Sequence, residues 1–326
     1  MKLINHFVAG MTWGFMGIRG TWGTKEASAS MEKMAESTSI NWTAIAFSAL
    51  QATAFSTDIP YWEEPTVTDE EIKWSISKAK SLGLKVCLKP IVNCADGTWR
   101  AHINFFDRDV PCEPKWSDWF ASYSNYILHF AQIAEDTGCE MFCIGCEMVQ
   151  TDRREQEWRK LISEVRKVYT GIVTYNCDKY QEDNVTWWDD LDVISSSGYY
   201  PINDWDTQLD RIEAVVKKFN KPFIFMEAGC PSRTGSSAIP NDWNLQGEAN
   251  EAEQANFYRQ MLSKCNARDW VGGLMLWDWP AKLYDRNQGS ADDGYCVYGK
   301  EAESVIREHY TARLQSSQSQ VKEDYI

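Results

Sequence analysis

The chain has 326 residues, of which 44% are hydrophobic and 13% aromatic, so it is long enough to bury the core of one large domain. Its formal net charge of −14 argues against nucleic acid as a partner, because phosphates are bound by lysine and arginine. The same charge argues against an anionic membrane surface. A neutral substrate is compatible with it.

Short apolar runs alternate with longer amphipathic runs, which is typical of parallel strands joined by helices. In chain order we predict strands at residues 7–18, 43–50, 85–92, 140–148, 172–177, 192–201, 222–229 and 271–280. We predict helices at residues 25–38, 117–136, 152–169, 206–219, 249–265 and 299–310, with a short helical piece at 185–190. One more helix begins after Thr68, which forms a capping box with Glu71, and ends at Gly83.

Eight such units predict a single-domain (β/α)8 barrel over residues 1–310, followed by a flexible polar tail at 311–326. The loops after the second, third, seventh and eighth strands are long, at residues 51–67, 93–116, 229–248 and 281–298. In a barrel these loops lie at the carboxyl ends of the strands, where active sites are built. We therefore expect a cleft for an extended substrate, although loops that merely cap the barrel would look similar.

The cysteines do not suggest disulfide bonds. Cys87, Cys143, Cys146 and Cys177 lie in strand-like runs, which favours buried reduced thiols. The first residues, MKLINHFVAGMTWGFMG, lack an apolar segment followed by a cleavage site. No apolar run approaches the length of about 18 residues that a membrane helix needs. We expect a cytoplasmic protein.

Two glutamates end apolar strands, where a charge is costly unless it is used. Glu147 ends the fourth strand and Glu227 ends the seventh. Either one alone could be a structural residue in a salt bridge. Together they face each other across a barrel mouth, and a separation of about 5–5.5 Å would suit a retaining glycosidase.

Four segments resemble glycoside hydrolase family 113, the β-mannanases, within the superfamily of retaining barrel glycosidases. They are GMTWGFMGIRGTWGT, KPIVNC, IGCEM and MEAGCPS, and the resemblance covers about residues 5–310. It implies that Glu147 is the acid/base and Glu227 the nucleophile. One departure is Cys146, where most of the superfamily has the asparagine that contacts the sugar 2-hydroxyl. Asn93 is our candidate to replace that contact.

Several other residues are candidates for the substrate site. Tyr199 ends the sixth strand and could hold the nucleophile ionised through a hydrogen bond. Lys89 lies in an otherwise apolar strand and needs a partner or a substrate hydroxyl. The resemblance implies that Trp277, which shares a strand face with Trp279, lies under the cleaved sugar. Candidate platforms that could equally be core residues are Trp13, Trp22 and Trp62.

By resemblance, Arg19 either pairs with a catalytic carboxylate or braces the barrel mouth. We predict no cofactor and no metal, because there are four histidines without a metal motif. Cys143 and Cys146 resemble half of a zinc site, but their odd spacing predicts opposite faces of one strand.

The predicted function is hydrolysis of β-1,4-linked mannosides, in oligosaccharides or mannan. Three alternatives stay open among enzymes: an exo-acting β-mannosidase, a xylanase and a glucosidase. A non-catalytic sugar-binding barrel is the alternative outside enzymes. The sequence leaves the oligomeric state open.

Overall fold

The computed structural model describes residues 6–323, of which 317–323 are described through their backbone alone. The ends of the predicted barrel and tail, residues 1–5 and 324–326, lie outside this range. Eight parallel strands close into a barrel in chain order, so the predicted (β/α)8 fold is confirmed. The strands are β1 (Val8–Trp13), β2 (Trp42–Gln51), β3 (Lys85–Cys94), β4 (Met141–Cys146), β5 (Ile172–Cys177), β6 (Val193–Gly198), β7 (Phe223–Ala228) and β8 (Val271–Trp279).

Seven α-helices of the described chain surround the barrel. They are α1 (Lys25–Thr38), α2 (Asp69–Ser81), α3 (Trp116–Asp136), α4 (Glu155–Val168), α5 (Trp205–Phe219), α6 (Glu251–Asn266) and α7 (Glu301–Glu323). Between β5 and β6 the described chain forms a short 3-10 helix, Trp188–Asp190, where a short helical piece is predicted. The capping box of α2 is present, with Thr68 accepting from the Glu71 N–H and Glu71 accepting from the Thr68 N–H.

The last helix is longer than predicted. It does not end at residue 310 but continues to Glu323. The hydroxyls of Thr311 and Ser39 are hydrogen-bonded at 3.0 Å, and Leu314 packs against the core. The segment 311–316 is therefore packed on the barrel rather than loose.

Two apolar layers hold the fold together. The first fills the barrel interior and is formed by Val8, Trp42, Ala44, Cys87, Met141, Cys143, Ile172, Val193, Ile224, Met226 and Met275. The second, larger layer lies between the strands and the helices and contains most of the buried aromatic side chains. The interior layer fills the barrel below the carboxyl ends of the strands, where active sites of this fold are built.

All ten cysteines are unpaired, and nine of them are buried. The predicted orientation of one pair is wrong: Cys143 lies in the barrel interior, and Cys146 faces inward too, beside Ala46 and Ile91. The pairing of β4 with β5 shifts register between Cys143 and Cys146. This irregularity adds a residue and cancels the odd spacing.

Candidate active site

Glu147 and Glu227 both lie at the carboxyl ends of their strands, and the neighbour of one contacts the other. Glu147 directly follows β4 and is 6% exposed, whereas Glu227 lies within β7 and is 3% exposed. The thiol of Cys146 donates to Glu227 Oε1 at 3.3 Å. Cys146, which precedes Glu147 in the chain, thus contacts Glu227, so the ends of β4 and β7 converge as their positions in the barrel predict.

Glu227 accepts three hydrogen bonds that favour its charged form. The donors are the Lys89 ammonium and the Cys146 thiol, both on Oε1, and the Tyr199 hydroxyl, which lies 2.9 Å from Oε2. Burial by itself raises the pKa of Glu227, but the charges of Lys89 and Arg100 and the hydrogen bonds from Lys89 and Tyr199 outweigh it, so the pKa is lowered. This carboxyl group is held ionised.

Glu147 has a different set of partners. Arg100 Nη2 donates to its Oε2 at 2.5 Å, and the Ser197 hydroxyl donates to Oε1 at 2.5 Å. Its backbone N–H donates to the carbonyl of Asn176 at 2.8 Å, and its φ of +52° lies in the left-handed region. Such a conformation is costly for a glutamate and is typical of functional sites.

A chain of hydrogen bonds between buried side chains joins the two glutamates. Lys89 donates to Glu227 and, at 3.0 Å, to Asn176 Oδ1. The Asn176 amide donates to the Ser197 hydroxyl at 2.9 Å, and Ser197 donates to Glu147. The inward faces of β3, β5 and β6 supply these three side chains, so the strands themselves fix the relative positions of the carboxylates.

Arg100 is the main residue that sequence reasoning missed. It lies in a short 3-10 helix of the loop after β3, and its guanidinium is buried. Beyond Glu147, its Nε donates to the Cys146 carbonyl at 2.9 Å and its Nη1 to Asn93 Oδ1 at 3.0 Å. No sequence signal distinguishes a loop arginine of this kind.

Arg19, the arginine singled out from the sequence, braces the mouth instead. Its Nε donates to the carbonyl of Thr66 at 3.0 Å and its Nη2 to that of Trp62 at 2.7 Å. It thereby ties the loop after β1 to the loop after β2. The alternative in which Arg19 pairs with a catalytic carboxylate is wrong, and Arg100 takes that place.

Asn93 has both ends of its amide engaged by the protein. Its Nδ2 donates to the Ser48 hydroxyl at 3.0 Å, and its Oδ1 accepts from Arg100. The structure therefore places Asn93 as a support of Arg100, and a contact with the sugar 2-hydroxyl stays a prediction.

Trp277 lies in the site, but two other predicted tryptophan platforms do not. Its ring is 5.8 Å from Lys89 Nζ, and it clusters with Tyr199. Trp13 and Trp22 are 0% and 3% exposed and pack against each other at 5.0 Å in the outer core layer. Trp277 is only 2% exposed too, but it lies beside Tyr199 and Lys89, whereas Trp13 and Trp22 belong to the outer layer and contact neither carboxylate's partners. Their assignment as platforms is therefore wrong.

Trp62 and Trp279 differ in exposure to solvent. Trp62 is 60% exposed on the loop after β2. Trp279 does not share the face of Trp277, since it is buried in the outer layer and its Nε1 donates to the Ser30 carbonyl at 3.1 Å. Alternation along β8 does not hold here because its pairing with β1 shifts register between Met11 and Trp13.

Among the described residues, no group of three or more His, Cys, Asp or Glu side chains is arranged to hold a metal ion. None of the helices in the described part of the chain is long and apolar enough to cross a membrane.

Comparisons with known proteins agree with this geometry. The model of Glycoside Hydrolase Family 113 matches residues 11–300. A complex structure of a family 113 β-1,4-mannanase is 57% identical, covers 94% of this chain and 100% of its own, and has a TM-score of 0.94. The family 113 β-mannanase AaManA from Alicyclobacillus acidocaldarius, in complex with ManMIm, is 47% identical, covers 94% and 98%, and has a TM-score of 0.91. A search of curated proteins found no match.

More distant structures share the fold alone. The β-glucuronidase of Ruminococcus gnavus is 13% identical with a TM-score of 0.65, and the match covers 94% of this chain and 50% of that one. The family model spans most of the chain, and two solved members align with nearly all of it. The chain therefore belongs to glycoside hydrolase family 113.

Proposed function

We propose that this protein is an endo-β-1,4-mannanase that cleaves mannan and manno-oligosaccharides with retention of configuration. The observation that carries the proposal is the pair of buried glutamates with different environments at the barrel mouth. Family membership and the two β-mannanase structures support the reaction and the sugar.

Glu227 is the proposed nucleophile, because its lowered pKa keeps it ionised and ready to attack. Its oxygen forms a bond with the anomeric carbon while the glycosidic C–O bond breaks. Glu147 donates its proton to the departing oxygen. Water then attacks the glycosyl-enzyme, Glu147 takes up a proton from that water, and Glu227 is released.

Exposed apolar side chains at the mouth suit a long substrate. Every large hydrophobic residue that is exposed in the described chain lies on a loop that follows a strand: Met16, Ile18, Phe55, Trp62, Trp99, Phe106, Val110, Tyr180, Ile239 and Trp243. Aromatic faces pack against the C–H faces of sugar rings, so this distribution favours a polysaccharide cleft. It does not favour a closed pocket for a single terminal sugar.

Azide rescue tests the two roles. With an activated aryl β-mannoside, Glu227→Ala plus azide is expected to give α-mannosyl azide, because azide attacks the face that the nucleophile has left open. Glu147→Ala plus azide is expected to give β-mannosyl azide, because the glycosyl-enzyme still forms. Glu140→Ala, which removes a carboxylate at the opposite end of β4, should give neither product. The same anomer from both glutamate variants would refute the assignment.

A product profile tests the sugar and the mode of cleavage. Parallel digests of manno-, gluco- and xylo-oligosaccharides should show internal cleavage of the manno series alone. Release of single mannose units from one end would instead identify an exo-acting β-mannosidase. Binding without cleavage, unchanged by Glu227→Gln, would identify a sugar-binding barrel.

A further inference from the structure

A third buried carboxylate lies at the mouth, on the side of Glu147. Asp178 directly follows β5 and is 7% exposed. Two residues before it, the Asn176 carbonyl accepts the backbone N–H of Glu147. The loop after β5 therefore begins against the proposed acid/base, not against Glu227.

Asp178 lacks the cationic partner that each of the two glutamates has. Lys89 donates to Glu227 and Arg100 donates to Glu147. Among the described residues, no side chain forms a hydrogen bond or ion pair with Asp178; the backbone N–H of Lys179 next to it donates to it, and the charges of Lys179 and Arg100 act on it without direct contact. Burial first, and then the charge of Glu147, raise its pKa to about 7. A buried carboxyl group whose oxygens can accept further hydrogen bonds is suited to a ligand that carries hydrogen-bond donors.

Tyr180 presents an aromatic face two residues further on. Its side chain is 40% exposed, and its φ of +68° is unusual for a tyrosine. Its ring packs on that of Tyr200 at 5.2 Å, and the Tyr200 hydroxyl donates to Glu182 at 2.6 Å. Arg211 pairs with the same Glu182, so a fixed network holds the strained turn beneath Tyr180.

We propose that Asp178 and Tyr180 bind the sugar of the leaving group, with the Tyr180 ring against the sugar face and the Asp178 carboxylate accepting one of its hydroxyls. The proposal rests on the proposed function, since Glu147 must be the residue that protonates the leaving oxygen. A sugar on that side supplies the hydroxyl donors that the protein does not. The ligand class is a neutral β-linked hexose unit at the reducing side of the cleaved bond.

Two substrates separate this role from a general effect on catalysis. A manno-oligosaccharide such as mannotetraose places a sugar at the leaving-group position, whereas dinitrophenyl β-mannoside has no hydroxyl there and needs little protonation. Above pH 7, where the Asp178 carboxyl group is ionised, Asp178→Asn is expected to lower kcat/KM for mannotetraose by about tenfold or more, because a neutral amide replaces the charged acceptor. It should change kcat/KM for the aryl mannoside by less than about threefold.

Transfer to an added sugar gives a second readout. An acceptor mannoside must bind where the leaving group has departed, so Asp178→Asn and Tyr180→Ala should both lower the ratio of transfer to hydrolysis. The aryl mannoside should still be consumed within about threefold of the parent rate. Asp183→Asn is the matched control, because Asp183 lies on the same loop but is exposed and paired with Arg211 at 3.0 Å.

Asp178→Asn is expected to fold. A folded-state pKa of about 7 lies above the ordinary value of 3.8, so the folded protein binds the proton more tightly than the unfolded chain. The stability linked to this group is complete below about pH 4 and is lost as the pH rises through about 7. An amide carries no such charge, so the melting temperature at pH 8 should not fall below that of the parent.

The outcomes are distinct. Equal losses with both substrates would overturn the proposal and make Asp178 a positioning residue for Glu147. Unchanged kcat/KM and unchanged transfer would overturn it as well. A parent enzyme that cleaves no mannoside at all would refute the proposed function instead.

Discussion

Each glutamate at the barrel mouth pairs with a different cation: Glu227 with Lys89 and Glu147 with Arg100. Both cations are buried, so their charges act with little screening by water. Burial alone would lower the pKa of Lys89, but Cys146 and Glu227 raise it above its ordinary value, and the ammonium stays charged. Lys89 is thus a positioning residue that keeps the proposed nucleophile ionised.

Replacing Lys89 tests this role through the pH profile. Lys89→Met removes the charge that lowers the pKa of Glu227, so that pKa should rise. Because the nucleophile must be ionised, the acidic limb of the kcat/KM profile should move to higher pH. At acidic pH, kcat/KM should fall roughly 10²-fold or more.

The control for Lys89→Met is Lys300→Met. Lys300 is also buried, but it donates to Asp292 at 2.7 Å and does not touch Glu227. Its replacement should leave the acidic limb where it is. If Lys89→Met lowered activity equally at every pH, the charge of Lys89 would not set the pKa of the nucleophile.

At the scale of single elements, Glu71 links a helix cap to the mouth. Its Oε2 accepts from the Thr68 N–H at 2.9 Å and completes the capping box of α2. Its Oε1 accepts from the backbone N–H groups of Gly20 at 2.9 Å and Trp22 at 3.1 Å. The capping box is visible in the sequence, but the link to the loop after β1 is not, because it joins residues about fifty positions apart.

We expect Glu71→Ala to cost more stability than Thr68→Ala. Loss of the Thr68 cap should lower the free energy of unfolding by about 1 kcal/mol. Loss of Glu71 also leaves two loop N–H groups without an acceptor, which should bring the cost to about 2–3 kcal/mol. Urea unfolding of both variants measures the difference. Equal costs would mean that water replaces Glu71 at the loop.

At the scale of the whole molecule, α7 helps to close the barrel. The Tyr310 hydroxyl is fully buried and donates to the carbonyl of Gly10 at 3.0 Å and to that of Leu274 at 3.2 Å. Gly10 lies in β1 and Leu274 in β8, which are the first and last strands. The last helix thus bonds to both sides of the seam where the barrel closes.

Tyr310→Phe should lower the free energy of unfolding by about 1–2 kcal/mol, since it removes the donor that two buried carbonyls share. Tyr284→Phe is a suitable control, because the Tyr284 hydroxyl bonds a loop carbonyl at 2.6 Å and lies away from the seam. Thermal unfolding of both variants makes the comparison. A loss for Tyr310→Phe no greater than for the control would contradict a special role at the seam.

The sequence by itself determined the order of strands and helices, the capping box of α2 and the positions of Glu147 and Glu227. These features are local: apolar periodicity, cap residues and a charge at the end of an apolar run all act over a few neighbouring residues. The sequence also pointed to Lys89 and Tyr199, because a polar side chain within or just after a buried strand needs a hydrogen-bond partner.

Only the tertiary structure decided which groups touch. Arg100 rather than Arg19 pairs with Glu147, because a loop brings it inward. Trp13 and Trp22 fill the outer layer, because packing against the helices decides which side of β1 Trp13 faces and where the following loop places Trp22. Irregular pairing in β4 and β8 changes the faces of Cys146 and Trp279, and alternation along a strand cannot show where such a shift occurs. These facts depend on contacts between residues far apart in the chain, and a single sequence carries no direct signal of them.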